Sequence, residues 1–133
     1  MEITILNETR EKFKEDRLKS FIRKILKELK LKGNLTILFC GDYYCKKMNK
    51  KFLKRKGSTD VISFPLNENG YIGDILINLG KVKRQAKRIG ISFDEELKRI
   101  LIHGILHLSG YDHEKDSGEM IDLQEKFIFK FKL

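Results

Sequence analysis

Apolar and polar positions follow two different periods along this chain, and the switches between them divide it into nine predicted elements. Apolar residues that recur every three or four positions predict five helices, beginning near residues 16, 42, 82, 92 and 116. Short β-rich runs predict four strands, at residues 3–6, 35–39, 60–64 and 73–77. The resulting order, β-α-β-α-β-β-α-α-α, predicts an α+β fold in which about five helices pack on a small mixed four-stranded sheet.

Turn and capping residues predict where these elements begin and end. Gly33 and Gly90 predict the ends of the first and third helices, and Pro65 predicts the end of the third strand. The turn at residues 67–70 predicts that the third and fourth strands form an antiparallel hairpin. The side chains expected to cap helix starts are Asp42, Ser92 with Glu95, and Asp116 with Glu119.

The length and composition of the chain indicate one globular domain over residues 1–133. The chain is 41% hydrophobic with a single proline, and it contains neither a linker nor a repeat. It also lacks a leader-like N-terminus and any run of about eighteen apolar residues, so we expect neither secretion nor membrane insertion. Cys40 and Cys45 are expected to be buried, reduced thiols. We therefore expect a cytoplasmic, monomeric protein.

The charge of the chain favours a polyanionic partner. Its 28 basic residues outnumber its 19 acidic ones, for a net charge of +9. A lysine-rich protein whose charges merely solvate its helices is the alternative interpretation. No acidic residue lies between Tyr43 and Thr59. The spacing of the basic residues there places them along one face of a helix, which favours contact with phosphates. We call this set the basic stripe; it consists of Lys46, Lys47, Lys50, Lys51, Lys54, Arg55 and Lys56. A second cluster comprises Lys81, Lys83, Arg84, Lys87 and Arg88.

All three histidines of the chain fall within residues 103–113. His103 and His107 are spaced i, i+4, which places both rings on one face of a helix. Gly110 can end that helix and return His113 toward the same point. Three imidazoles suit a tetrahedral Zn²⁺ with one open position, whereas a closed structural site would need a fourth Cys or His. The alternative, histidines that are merely hydrogen-bonded in a core, explains this spacing less well, so the pattern predicts a catalytic zinc site with one ion per chain.

The spacing of these histidines matches the metzincin metalloproteases, except that Gly104 replaces their catalytic glutamate. With that glycine, the stretch at residues 103–113 resembles the signature of the YbeY family of endoribonucleases. The blocks at residues 58–65 and 73–75 are also similar to those of the family and lie in the same order. The resemblance implies a zincin-like fold and zinc held by the three histidines. It also implies single-strand cleavage of RNA in maturation of the 3′ end of 16S rRNA, and a role in ribosome quality control.

Further candidate site residues come partly from this resemblance and partly from the chemistry of the residues themselves. The family arginine thought to engage RNA falls at Leu53, so we assign its role to the neighbouring Arg55. Asp112 is the second catalytic candidate; it can relay a proton or orient an imidazole, or it can stabilise a turn. Asp74 lies in a predicted strand, where acidic residues are disfavoured, and this indicates either a functional site or strand-end hydrogen bonding. We expect Gly104 to leave space for a phosphodiester beside the metal.

Two other functions remain open at this point. The first is a metal-dependent hydrolase of another class, such as a peptidase with the same zinc site. The second is a non-catalytic ribosome-assembly factor that zinc only stabilises. Gly104 and the positive charge argue against the peptidase. The sequence does not choose between hydroxide and the ribose 2′-OH as the nucleophile, and it does not identify the general base.

Overall fold

A computed structural model describes residues 2–52, 61–68, 70–110 and 118–133 of the protein. These residues form four strands and five helices in the predicted order, which confirms the α+β class. The strands are β1 (Ile3–Asn7), β2 (Asn34–Cys40), β3 (Val61–Glu68) and β4 (Tyr71–Asn78). The helices are α1 (Glu15–Glu28), α2 (Asp42–Phe52), α3 (Leu79–Ile89), α4 (Phe93–Leu108) and α5 (Glu119–Lys130). The single-domain assignment stays a prediction.

The four strands form one mixed sheet in the order β1-β2-β4-β3. The first three strands of that order are mutually parallel, whereas β3 pairs antiparallel with β4. The predicted hairpin is therefore confirmed. It leaves β3 at an edge of the sheet, next to α4.

One face of the sheet and the helices packed on it form the hydrophobic core. Alternate residues of β2 and β4, such as Ile37 and Ile75, are fully buried there with α1, α4 and α5. On the opposite face, Leu38 and Leu76 line a cavity of about 390 Å³ together with Met48 of α2. The helices thus lie on both faces, and the histidine-bearing helix α4 lies on the core side.

Most of the predicted boundaries hold. The hydroxyl of Ser92 accepts a hydrogen bond of 3.1 Å from the backbone N–H of Glu95, as a capping residue should. Gly90 ends α3 with φ 87°, as predicted. Asp42 is the first residue of α2, and its carboxylate accepts hydrogen bonds from the side chains of Asn78 and Arg84.

Three boundaries differ from the prediction. Helix α1 ends at Glu28, and Lys30 with φ 57° takes the left-handed position expected of Gly33. Strand β3 continues through Pro65, which an edge strand tolerates because its outer N–H groups need no partner. Helix α5 begins after Gly118, which offers no side-chain cap, and Asp116 lies outside the described residues.

The described residues also bear on the predictions for the two cysteines and for membrane-spanning helices. Cys40 and Cys45 are both free and buried, as expected. A hydrogen bond with Cys40, and to a lesser extent burial, raise the pKa of the Cys45 thiol. Within the described ranges, none of the helices has the length and apolar character needed to cross a membrane.

Candidate metal centre

Helix α4 holds the first two histidines on a rigid support. Its acidic first turn complements the positive end of the helix dipole, and its N-terminus is capped by Ser92. Leu101, Ile105 and Leu108 are almost completely buried, which anchors the second half of the helix against the core. His103 and His107 lie at the margin of this buried region, and both are half-buried.

The two imidazoles converge as the i, i+4 spacing predicts. The Nε2 atoms of His103 and His107 are 3.0 Å apart. Their ring centroids are separated by 4.6 Å, with 75° between the ring planes. On its other side, His103 contacts α5, because its Nδ1 atom lies 2.9 Å from Oε1 of Gln124. Each ring therefore directs Nε2 toward one shared point.

This arrangement fits zinc. Two nitrogens bound to one tetrahedral zinc at about 2.0–2.1 Å are about 3.3 Å apart, close to the spacing observed between the Nε2 atoms. Neutral imidazole is also among the usual ligands of zinc, and a hydrogen bond on the second ring nitrogen is the usual support for it. The fit to zinc therefore rests on the type of donor atom and on the spacing between the two Nε2 atoms.

The third predicted ligand, His113, lies outside the described residues, and so does Asp112. Among residues 2–52, 61–68, 70–110 and 118–133, no three His, Cys, Asp or Glu side chains come together in a metal-binding group. Gly110 adopts φ 102°, a left-handed conformation that lets the chain turn after α4. The three-histidine set stays a prediction.

Gly104 has a different role from the one expected. It is buried against the sheet, and a Cβ atom there would lie 3.2 Å from Cγ2 of both Ile75 and Val61. The glycine therefore allows close approach of α4 to β3 and β4. The expectation that it leaves space for a phosphodiester is wrong, because side chains of the sheet fill that space. A glutamate at this position would have to bury its carboxylate among branched apolar side chains.

Two residues that the sequence analysis did not single out support the histidine pair. Ser63 of β3 donates a hydrogen bond of 3.1 Å to the carbonyl oxygen of Gly104, which ties the helix to the edge strand. Gln124 of α5 contacts His103 directly. Each is a polar residue on the core-facing side of its element, and that interruption of the apolar pattern is the signal that could have identified it: Ser63 is in register with the buried Ile75, and Gln124 lies between the buried Met120 and Phe127.

Asp74 does not join the histidines. Its register partner is Thr36, whereas its neighbour Ile75 faces Gly104, so the carboxylate lies on the opposite face of the sheet. There it accepts a hydrogen bond of 2.9 Å from the hydroxyl of Tyr71, which also contacts Thr36. These contacts favour the strand-end hydrogen-bonding interpretation of Asp74.

The part of the basic stripe carried by α2 has the predicted orientation. Its lysines are exposed, whereas Cys45 and Asn49 on the other side of the helix are buried. These exposed lysines are Lys46, Lys47, Lys50 and Lys51. The remainder of the stripe, which includes Arg55, lies outside the described residues.

The second basic cluster on α3 is partly neutralised. Lys83 forms an ion pair with Glu11. Arg84 bonds Asp42 at 2.7 Å, and that hydrogen bond raises the pKa of the guanidinium. Since two of its cations already have carboxylate partners, this cluster is a weaker phosphate-binding candidate than the basic stripe.

Comparison with known proteins relates the chain to one family over nearly its whole length. The family described as Endoribonuclease YbeY matches residues 4–132. A protein of that name from Treponema denticola is 35% identical over 128 residues, covering 87% of this chain and 83% of its own. Another from a Sulfurihydrogenibium species is 42% identical over 122 residues, covering 85% of this chain and 80% of its own.

A solved structure agrees with this relationship. The solution structure of TM1509 from Thermotoga maritima superimposes with a TM-score of 0.72 at 32% sequence identity. The match covers 95% of this chain and 86% of that one. The similarity therefore extends over the sheet and the helices, beyond the histidine block.

Proposed function

Because the chain belongs to the YbeY endoribonuclease family, we propose that it is a zinc-dependent endoribonuclease acting on single-stranded RNA. The RNA we propose is precursor rRNA, cleaved during maturation of the 3′ end of 16S rRNA and in ribosome quality control. We further propose that the protein works as a cytoplasmic monomer. The observation that carries the proposal is the approach of the His103 and His107 Nε2 atoms to 3.0 Å on a buried helix.

The proposed metal site consists of His103, His107 and His113, with one zinc ion per chain. When bound, zinc would supply Lewis acidity toward a phosphoryl oxygen and promote ionisation of water near neutral pH. Helix α4 fixes the first two ligands, because Ser63 and the close contact at Gly104 hold it against the sheet. The two imidazoles are thus oriented before any ligand arrives.

The basic stripe is the proposed contact for the RNA backbone. Its four lysines on α2 project into solvent, and several of them can release counterions when phosphates bind. Tyr43, at the start of the same helix, is 81% exposed and offers one flat ring beside these charges. This combination favours recognition of the backbone over recognition of base sequence.

The two remaining catalytic candidates keep their proposed roles. Arg55 would contact the RNA at the C-terminal end of the basic stripe. Asp112 would orient the imidazole of the adjacent His113 or relay a proton. Both assignments come from positions in the sequence, and both can be tested by replacing the residue with alanine in a cleavage assay.

The experiment that tests this function compares two substrates under the same conditions. Zinc-loaded protein is incubated with a single-stranded RNA and, separately, with an unstructured peptide, and the products are separated by size. We expect the RNA to be cleaved internally and the peptide to remain intact. The double variant His103→Ala, His107→Ala serves as the control for a contaminating ribonuclease and should leave the RNA uncut.

Two results would contradict the proposal. Cleavage of the peptide with intact RNA would favour the metallopeptidase alternative. Equal RNA cleavage by the wild type and the double variant would show that the histidine pair takes no part in the reaction.

A further inference from the structure

The side chain of Gln124 brings α5 into direct contact with the histidine pair. Its Oε1 atom lies 2.9 Å from Nδ1 of His103, and the side chain is half-buried. Met120 and Phe127 lie four residues before and three residues after Gln124, and both are buried in the core. The same face of α5 that packs on the core therefore directs Gln124 at the ring.

A second contact, an exposed ion pair, also joins α5 to α4 close to the histidines. Arg99, one turn before His103 on α4, lies 3.7 Å from Glu125 of α5 through its Nη1 atom. Helices α4 and α5 are thus joined by two contacts that lie close together along each helix. Gln124 is held by packing and needs no movement to reach the ring.

The chemistry of the contact determines where His103 carries its proton. An amide oxygen only accepts hydrogen bonds, so Nδ1 of His103 must carry the hydrogen that it donates to Gln124. A neutral ring protonated at Nδ1 has its lone pair on Nε2. That lone pair faces the Nε2 atom of His107, where a cation would lie.

We propose that Gln124 is a positioning residue that keeps His103 in the Nδ1–H tautomer and so prepares its Nε2 atom to bind a divalent cation. This inference rests on the zinc site of the proposed function. The reversed amide, with its NH2 group donating to Nδ1, would place the ring proton on Nε2 and direct an N–H group at the cation position. A glutamate at residue 124 distinguishes the two arrangements, since a carboxylate can only accept.

The first test observes the tautomer without using activity. The chain has only three histidines, so the ring nitrogens give few signals in a long-range proton–nitrogen NMR spectrum of 15N-labelled protein. The spectrum is recorded after removal of metal with a chelator, and His103→Asn assigns the His103 signals. We expect His103 to be protonated at Nδ1 in the wild type and in Gln124→Glu. Gln124→Leu should lose that preference.

The second test measures zinc affinity by competition with a chromophoric chelator. Loss of such a supporting hydrogen bond typically weakens metal binding about 10-fold to 100-fold, and we expect this of Gln124→Leu. Gln124→Glu should bind zinc at least as tightly as the wild type. The matched control is Gln85→Leu, which makes the same change at the only other glutamine of the chain, on α3, and should leave the affinity unchanged.

The outcomes separate this inference from the function on which it rests. Protonation of His103 at Nε2 in the wild type would overturn the inference, and so would unchanged zinc affinity in Gln124→Leu. A wild type that shows the Nδ1–H tautomer but binds no zinc would support the action of Gln124 on the ring and refute the zinc assignment of the proposed function. If Gln124→Leu does not fold, the wild-type spectrum and Gln124→Glu still decide between the two tautomers.

Discussion

Replacement of Gly104 with alanine is expected to lower the free energy of unfolding by about 1 kcal/mol, although alanine is the better helix former. The added Cβ would lie 3.2 Å from Cγ2 of Ile75 and of Val61. Both neighbours are β-branched and stiff about χ1, so neither side chain can rotate away easily. The substitution therefore forces α4 outward from the sheet.

The magnitude follows from two opposing effects. Glycine in a helix interior is less favourable than alanine by about 0.8–1 kcal/mol, which the substitution would gain. Overpacking of a tight contact costs about 1–3 kcal/mol, which is the larger effect when both neighbours are fixed. A net loss of about 1 kcal/mol lowers the melting temperature by about 4 °C in a chain of this size.

The assay is urea unfolding followed by circular dichroism, arranged as a double-mutant cycle with Val61→Ala. Truncation of Val61 removes one of the two 3.2 Å contacts, so Gly104→Ala should become neutral or stabilising in that background. We expect a coupling energy of about 1 kcal/mol between the two positions. A stabilising effect of Gly104→Ala in the wild-type background, with no coupling to Val61, would refute the close-packing explanation of this glycine.

Two further predictions concern the proposed zinc and RNA sites. His107→Ala removes one Nε2 donor, so bound zinc measured by elemental analysis should fall well below one ion per chain, and full retention would contradict the site. Lys47→Glu with Lys50→Glu should weaken RNA binding and flatten its dependence on salt, measured by fluorescence anisotropy, because fewer counterions are released. The same double reversal at Lys24 and Lys27 of α1 is the charge-matched control, and an equal effect there would mean that only the net charge matters.

Much of the fold could be predicted because its signals are local. Ser92 caps α4 and Gly90 ends α3 as expected, since each effect depends on a few neighbouring residues. The exceptions depend on distant contacts. Gly33 does not end α1 and instead lies against the turn between β3 and β4, where a Cβ atom would be 2.7 Å from the carbonyl oxygen of Gly70.

The candidate site shows the same division. The convergence of His103 and His107 follows from helix geometry alone, and the structure confirms it. The contacts that support this pair join elements far apart in the chain: Ser63 lies 41 residues from Gly104, and Gln124 lies 21 residues from His103. The expectation for Gly104 is wrong for the same reason, because the side chains that surround it come from β3 and β4.

A zinc titration of RNA cleavage tests the central claim most directly. The protein is stripped of metal with a chelator, zinc is returned in small increments, and internal cleavage of a single-stranded RNA is measured at each step. We expect cleavage to be absent without zinc and to level off at about one equivalent per chain, as one site of three histidines requires. Cleavage that persists at full rate after chelation, in protein shown to contain no zinc, would contradict it.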